Sequence, residues 1–164
     1  MRADVKKEFE WASQYNGKVM EIIRKLAGKI INVREGTPTE DMKQATDMVV
    51  EVNVGAIAVR VRRIKFNNPY DDVTIRSYSR GNKTEIHKIK EGWGSWYLYA
   101  WDRCNNWVFY DIDRLRDSGL LEDEIKQIPN GDGTRFHSIS VKTLDKHEVI
   151  VDCSENIREY LDFN

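Results

Sequence analysis

Cysteine is scarce in this chain: Cys104 and Cys153 are the only two among 164 residues. A pair so sparse reads as two reduced thiols rather than a disulfide framework. Histidine is nearly as scarce. His87, His137 and His147 show no metal-ligand spacing with one another or with the cysteines, which argues against a structural zinc site. No apolar run approaches the roughly 20 residues of a membrane span. The opening stretch MRADVKKEFEW carries no apolar signal core, so a cytoplasmic location is expected. Neither sign of charge dominates. Lys and Arg number 26 against 27 Asp and Glu, a formal net charge of −1, and this excludes a uniformly basic, histone-like protein. Internal repeats and low-complexity stretches are missing. So are a GxSxG elbow, a glycine-rich phosphate loop and a Cys–His–Asp order. The segment IPNGDGT lacks the length and final Glu of a calcium loop.

What is present describes a globular chain. Apolar residues make up 40% and charged residues 32%, and five Trp, seven Tyr and five Phe can fill a core. This length fits a single domain over 1–164.

Periodicity then places the elements. Val5, Phe9, Ala12, Val19, Ile22, Ile23 and Leu26 recur at helical spacing and predict a helix over 3–26, with Asn16-Gly17 as an interruption and Gly28 as a stop. EGTPT at 35–39 is a turn, and Thr39 can cap a short helix over 40–46. Met48, Val50, Val52 and Val54 alternate with Asp47, Glu51 and Asn53. After Gly55, Ile57, Val59 and Val61 alternate with Arg60 and Arg62. These two runs predict a β-hairpin over 47–64 with one oily and one charged face. VTIRSYS at 73–79 reads as a further strand, and Thr84-Glu85 opens a short helix that Gly92 closes. Two aromatic strands, 95–101 and 107–111, flank an RCNN turn. Short helices are expected at 111–118 and 121–127, a late hairpin from 136–141 and 148–151, and a closing helix at 154–162 capped by Ser154. The order implies an α+β fold: a mixed central β-sheet with an N-terminal helix and flanking short helices.

In the expected hairpin, Asp47 falls opposite Arg62, and Glu51, Arg60 and Arg62 share its polar face. Arg76 extends that face if strand 73–79 joins the sheet. Guanidinium forks suit phosphate recognition, and paired carboxylates suit a hard cation. A solvated sheet face laced with cross-strand ion pairs accounts for the same pattern. The local charge is uneven. Ala56–Lys90 holds nine basic residues against three acidic, and Asp111–Glu124 holds six acidic against two basic. A basic patch of this size fits nucleic-acid backbone contact, and equally an acidic protein partner.

Trp93, Trp96, Tyr97, Tyr99, Trp101, Trp107, Phe109 and Tyr110 lie close together. Such rings can stack on bases. Strand 95–101 is apolar on both sides, however, which marks a central strand buried on both faces. Trp93, between two glycines, is the ring expected at the surface. Glu8 and Glu10 read as a solvated helix face, although a helix-borne Glu can complete a metal site with Asp47. Glu85 and Lys88, spaced i, i+3, read either as a surface pair or as a catalytic acid and lysine. His87 is the one histidine near the basic patch and a candidate general base.

The run EDMKQATDMVVEVNVGAIAVRVRR, then DVTIRS, then KTEIHKIKEGWGSWYLYAWD, resembles small proteins of phage and prophage genomes over about residues 37–116. Its motifs are Thr46-Asp47, the R-V-R-R strand, the T-I-R-S strand and T-E-x-x-K-I. Their order also resembles the core of restriction-endonuclease-like, PD-(D/E)XK-type, nucleases. That resemblance implies a divalent-metal-dependent phosphodiester hydrolase using Mg²⁺ or Mn²⁺. Asp47 and Glu51 would hold the metal, Glu85 would assist, Lys88 would orient water, and Arg60, Arg62, Arg63 and Arg76 would neutralise phosphate. The setting it implies is the cytoplasm of a phage-infected or prophage-carrying bacterium. Arg60-Val61-Arg62 stands where that family has an acid and a lysine two apart. If Glu51, Glu85 and Lys88 do not take those roles, the implied activity is binding without cutting, directed at nucleic acid or at a host defence protein. A third reading is a small assembly protein that self-associates through exposed aromatics.

Overall fold

The computed structural model describes residues 7, 10–11, 13–27, 31–35, 48–52, 55–63, 66, 71–79, 83–121 and 127–163. The chain forms two compact units, Met1–Gly55 and Ala56–Asn164.

In the first unit, helix α1 runs over Asn16–Leu26. A turn at Gln14 and Tyr15 separates it from the helical residues before it, so the expected break falls just ahead of Asn16-Gly17. Val19, Ile22 and Leu26 are buried, the three- and four-residue spacing that puts one face of a helix inside. Arg24 and Lys25 occupy the last turn, where positive charge suits the helix dipole. Strands β1 (Ile31–Glu35) and β2 (Met48–Val52) pair antiparallel with Val33 opposite Val50. The helix expected at 40–46 and Asp47 lie outside the described residues, as do the side chains of β1 and β2.

Among the described residues, the second unit holds two sheets and four α-helices. Strands β3 (Ile57–Val61), β5 (Trp96–Trp101), β6 (Asn106–Asp111) and β9 (Ile150–Cys153) form a mixed sheet in the order β3-β5-β6-β9. Strand β3 runs parallel to β5, and the other pairs are antiparallel. Strands β4 (Asp72–Tyr78), β8 (Arg135–Ser140) and β7 (Gln127–Pro129) form an antiparallel sheet in the order β4-β8-β7. Helices α2 (Glu85–Lys90), α3 (Ile112–Asp117), α4 (Val141–Lys146) and α5 (Glu155–Asp162) fill the connections.

A parallel pair needs a long crossover. Here the crossover from β3 to β5 carries β4 and α2. The core forms where the two sheets meet. Tyr97, Tyr99 and Trp101 of β5 and Tyr110 of β6 pack in one cluster with Val73 and Ile75 of β4, Ile139 of β8, and Ile86 and Ile89 of α2. On the opposite face of β5, Trp96, Leu98 and Ala100 are buried too, and Trp96 stacks on Phe109. Strand 95–101 is thus the central strand, buried on both faces, that its two-sided apolar pattern predicts.

The structure corrects two expected pairings. Residues 48–52 pair with 31–35, and 57–61 pair with 96–100, so these two strands lie in different sheets rather than forming the expected hairpin, and the expected match of Asp47 to Arg62 falls outside the described residues. The late hairpin is also replaced. Strand β8 lies between β4 and β7, β9 pairs with β6, and α4 intervenes. The Ser140 hydroxyl accepts the Thr143 N–H at 3.1 Å and caps α4, a cap overlooked beside the strand-like run before it. Residues 127–129 are strand rather than the end of a helix, and 122–126 lie outside the described residues. Ser154 precedes α5 as expected. Its hydroxyl, however, accepts the Trp107 N–H at 3.2 Å instead of capping the helix.

Candidate functional site

A cavity of about 400 Å³ opens in the second unit, lined by Arg60, Arg76, Ser79, Lys83, Thr84, Glu85, Lys88 and Trp93. That volume falls within the range of about 300–1,000 Å³ typical of ligand pockets. Among the described residues, the lining holds four cations and one carboxylate.

Three elements bring these groups together. Arg60 projects from β3 toward β4, where its Nη1 donates to the Thr74 carbonyl at 2.7 Å. Its Nη2 donates to Glu85 Oε2 at 2.9 Å. The backbone N–H of Arg76 donates to the same oxygen at 3.1 Å, and the Tyr97 hydroxyl donates to Oε1. Glu85 therefore ties β3, β4, β5 and the start of α2 to one carboxylate. Below this, the Thr74 and Tyr99 hydroxyls bond at 2.8 Å. Tyr97 stacks on Tyr110 with centroids 5.1 Å apart.

The electrostatics follow from this packing. Burial of Arg60 works against its charge, but the oxygens of Tyr97 and Glu85 more than offset it and hold the guanidinium above its ordinary range. Burial pushes Tyr97 well above the usual phenol value, although Arg60 pulls the other way. Tyr110 is raised in the same direction by burial.

The remaining cations are less engaged. Lys83 Nζ donates to Glu91 Oε1 at 2.7 Å, on the exposed rim. Among the described residues, no carboxylate forms an ion pair with the Arg76 or Lys88 side chain, and both residues are exposed. Trp93 is 46% exposed at the mouth.

Four of the residues singled out in the sequence, Arg60, Arg76, Glu85 and Lys88, thus meet in one cavity. Others do not line it. Arg62 lies 3.7 Å from Asp72 Oδ1, and Arg63 is on the exposed end of the same segment. Glu51 belongs to β2 in the other unit, and Asp47 lies outside the described residues. The expected Glu85–Lys88 surface pair is replaced by the Glu85–Arg60 contact. His87 Nδ1 bonds the Thr84 hydroxyl at 2.6 Å rather than entering the cavity. Ser79, Thr84 and the supporting Tyr97 carry no signal in the sequence beyond ordinary polar and aromatic positions.

This lining does not suit Mg²⁺ or Mn²⁺. A hard cation needs several oxygen ligands. The one carboxylate among the described lining residues already accepts three hydrogen bonds and sits among cations. Among the described residues, no group of three or more His, Cys, Asp or Glu side chains is placed to hold a metal ion. Among them, too, no helix is long and apolar enough to cross a membrane. Compared with protein families, with curated proteins and with solved structures, the chain matches none.

Proposed function

We propose that this protein binds nucleic acid through the basic cavity, as a phage-type protein built on a restriction-endonuclease-like core that holds phosphate without cutting it. One observation carries the reading. The R-V-R-R, T-I-R-S and T-E-x-x-K-I segments, which together suggest a nucleic-acid-directed protein, send Arg60, Arg76 and Lys88 into the same cavity. Arg60 is already engaged by Thr74 and Glu85, so it sets the local field. Arg76 and Lys88 are the heads available to an anion. Phosphate oxygens suit both, Arg as a fork and Lys as a compact charge.

Glu85 and Lys88 in one cavity favour a second reading, a nuclease with a rearranged site. That reading requires Glu85 to give up the donors it now holds.

Both readings are tested by fluorescence anisotropy with labelled DNA and RNA strands across about 50–200 mM salt. Arg76→Ala and Lys88→Ala are each expected to lower the slope of log affinity against log salt by about 1. Salt-independent binding, or slopes unchanged in both variants, would sink the proposal. The same strands are then incubated with Mg²⁺, Mn²⁺ or EDTA and resolved on a gel. Intact strands are expected throughout. Metal-dependent cutting abolished by Glu85→Gln would establish the nuclease instead.

A further inference from the structure

We infer that the cavity takes an unpaired nucleotide of a single strand, with its base flat on Trp93 and its phosphate between Arg76 and Lys88. The inference rests on the nucleic-acid reading above and adds what that reading leaves open: which part of a strand enters, and why.

The first observation is the ring. Of the five tryptophans, Trp96 and Trp101 are buried and Trp11 and Trp107 are half-buried, whereas Trp93 is 46% exposed. Nearly half of a large indole surface is thus open to a ligand, and covering it would remove apolar area from water.

The second is how the ring is held. Gly92 and Gly94 flank it at φ +90° and +76°, left-handed angles that favour glycine. The Trp93 N–H donates to the Lys88 carbonyl at 2.9 Å, and the Gly92 N–H donates to Ile89 at 3.0 Å. The loop is thereby pinned to the end of α2, and the indole is presented on a fixed backbone beside Lys88. A backbone so anchored gives up little freedom when a ligand stacks on the ring it carries.

The third is the company the ring keeps. It lines the same cavity as Arg76 and Lys88, whose charges meet no described carboxylate in an ion pair. A flat apolar face beside cationic groups matches a base joined to its phosphate. It matches an acidic peptide less well, because that offers charge without the flat face. In a duplex both faces of an internal base are already stacked, so only an unpaired or terminal base can lie on the indole.

The test uses the full chain and three probes of equal length. These are a thymidine single strand, an abasic strand with the same phosphates but no bases, and a duplex. Binding is read by anisotropy and by quenching of intrinsic tryptophan fluorescence. The thymidine strand is expected to bind about 5- to 150-fold tighter than the abasic strand, which corresponds to about 1–3 kcal/mol per stacked base. That gap is expected to close in Trp93→Ala and to persist in Trp93→Phe, which keeps a ring. Equal affinity for thymidine and abasic strands, or a gap that survives Trp93→Ala, overturns the inference and leaves phosphate binding in place. Tighter binding of polyglutamate than of any strand overturns it in favour of an acidic peptide. Failure of all three probes to bind, or strand binding that responds to neither Arg76→Ala nor Lys88→Ala, instead overturns the nucleic-acid reading beneath it.

Discussion

The carboxylate of Glu85 receives the Arg60 guanidinium, the Arg76 backbone N–H and the Tyr97 hydroxyl. No spacing rule announces this. The T-E-x-x-K pattern suggests a Glu with its partner one helical turn on, and the partner is instead 25 residues back on another strand. A glutamine in its place keeps the shape but loses the charge and one acceptor oxygen. Glu85→Gln is therefore expected to cost about 1.5–3 kcal/mol, the range for hydrogen bonds to charged groups, measured by urea unfolding. The same variant removes a negative charge from the cavity lining, so its affinity for a single strand is expected to rise at low salt. Unchanged stability would show that Arg60 does not depend on this contact. Legibility at this scale was partial for a physical reason. Residue type and local charge mark Arg60, Arg76, Glu85 and Lys88 as chemically active groups. Which of them neutralise one another depends on distances set by tertiary packing.

Element boundaries were the more readable part, and element partners the less. The alternation at 47–64 identifies two strands, because side-chain period depends only on backbone conformation. It carries no information on whether the neighbour is the next strand or one far along the chain. Residues 48–52 turn back to 31–35, and 57–61 go forward to 96–100. The central strand was legible because burial on both faces leaves its own mark, an apolar run without alternation. The loop after α2 was legible in the same way, since a tryptophan between glycines has little around it to pack on. Gly94 has a further role there. A Cβ on it would lie 2.9 Å from Ile112 Cδ1, whereas one on Gly92 meets nothing within 4 Å. Both positions are left-handed, so alanine strains each. Gly94→Ala adds the collision with a buried isoleucine and is expected to cost about 1–3 kcal/mol more than Gly92→Ala in thermal unfolding. Equal losses would mean that backbone strain alone governs the loop.

Across the whole molecule, the feature with the widest reach is the set of buried phenols. Tyr97, Tyr99 and Tyr110 are each 2% exposed or less, and burial raises the pKa of all three, opposed at Tyr99 by Arg62. In the unfolded chain they ionise near their ordinary value of about 10. Above that pH the unfolded state releases protons that the folded state retains, so stability falls as pH rises. Below about 10 both states hold the protons, and these groups contribute no slope. The urea midpoint is thus expected to be insensitive to these tyrosines up to about pH 10 and to decline beyond it. A midpoint that stays level well above about pH 10 would show that the three phenols ionise in the folded state as readily as in the unfolded chain.

The parallel pairing of β3 with β5 also sets a schedule for the growing chain. Val61 emerges from the ribosome well before Trp96, and at about 5–20 residues per second the strand waits roughly 2–7 s for its neighbour. During that interval IAVRV is an unpaired, mostly apolar strand of the kind that recruits other nascent chains. Arg60 within it and Arg62 just after it place two charges on that strand while it waits. The arginine that shapes the cavity is thus also a charge that breaks the apolar run of its own strand before a neighbour exists to cover it.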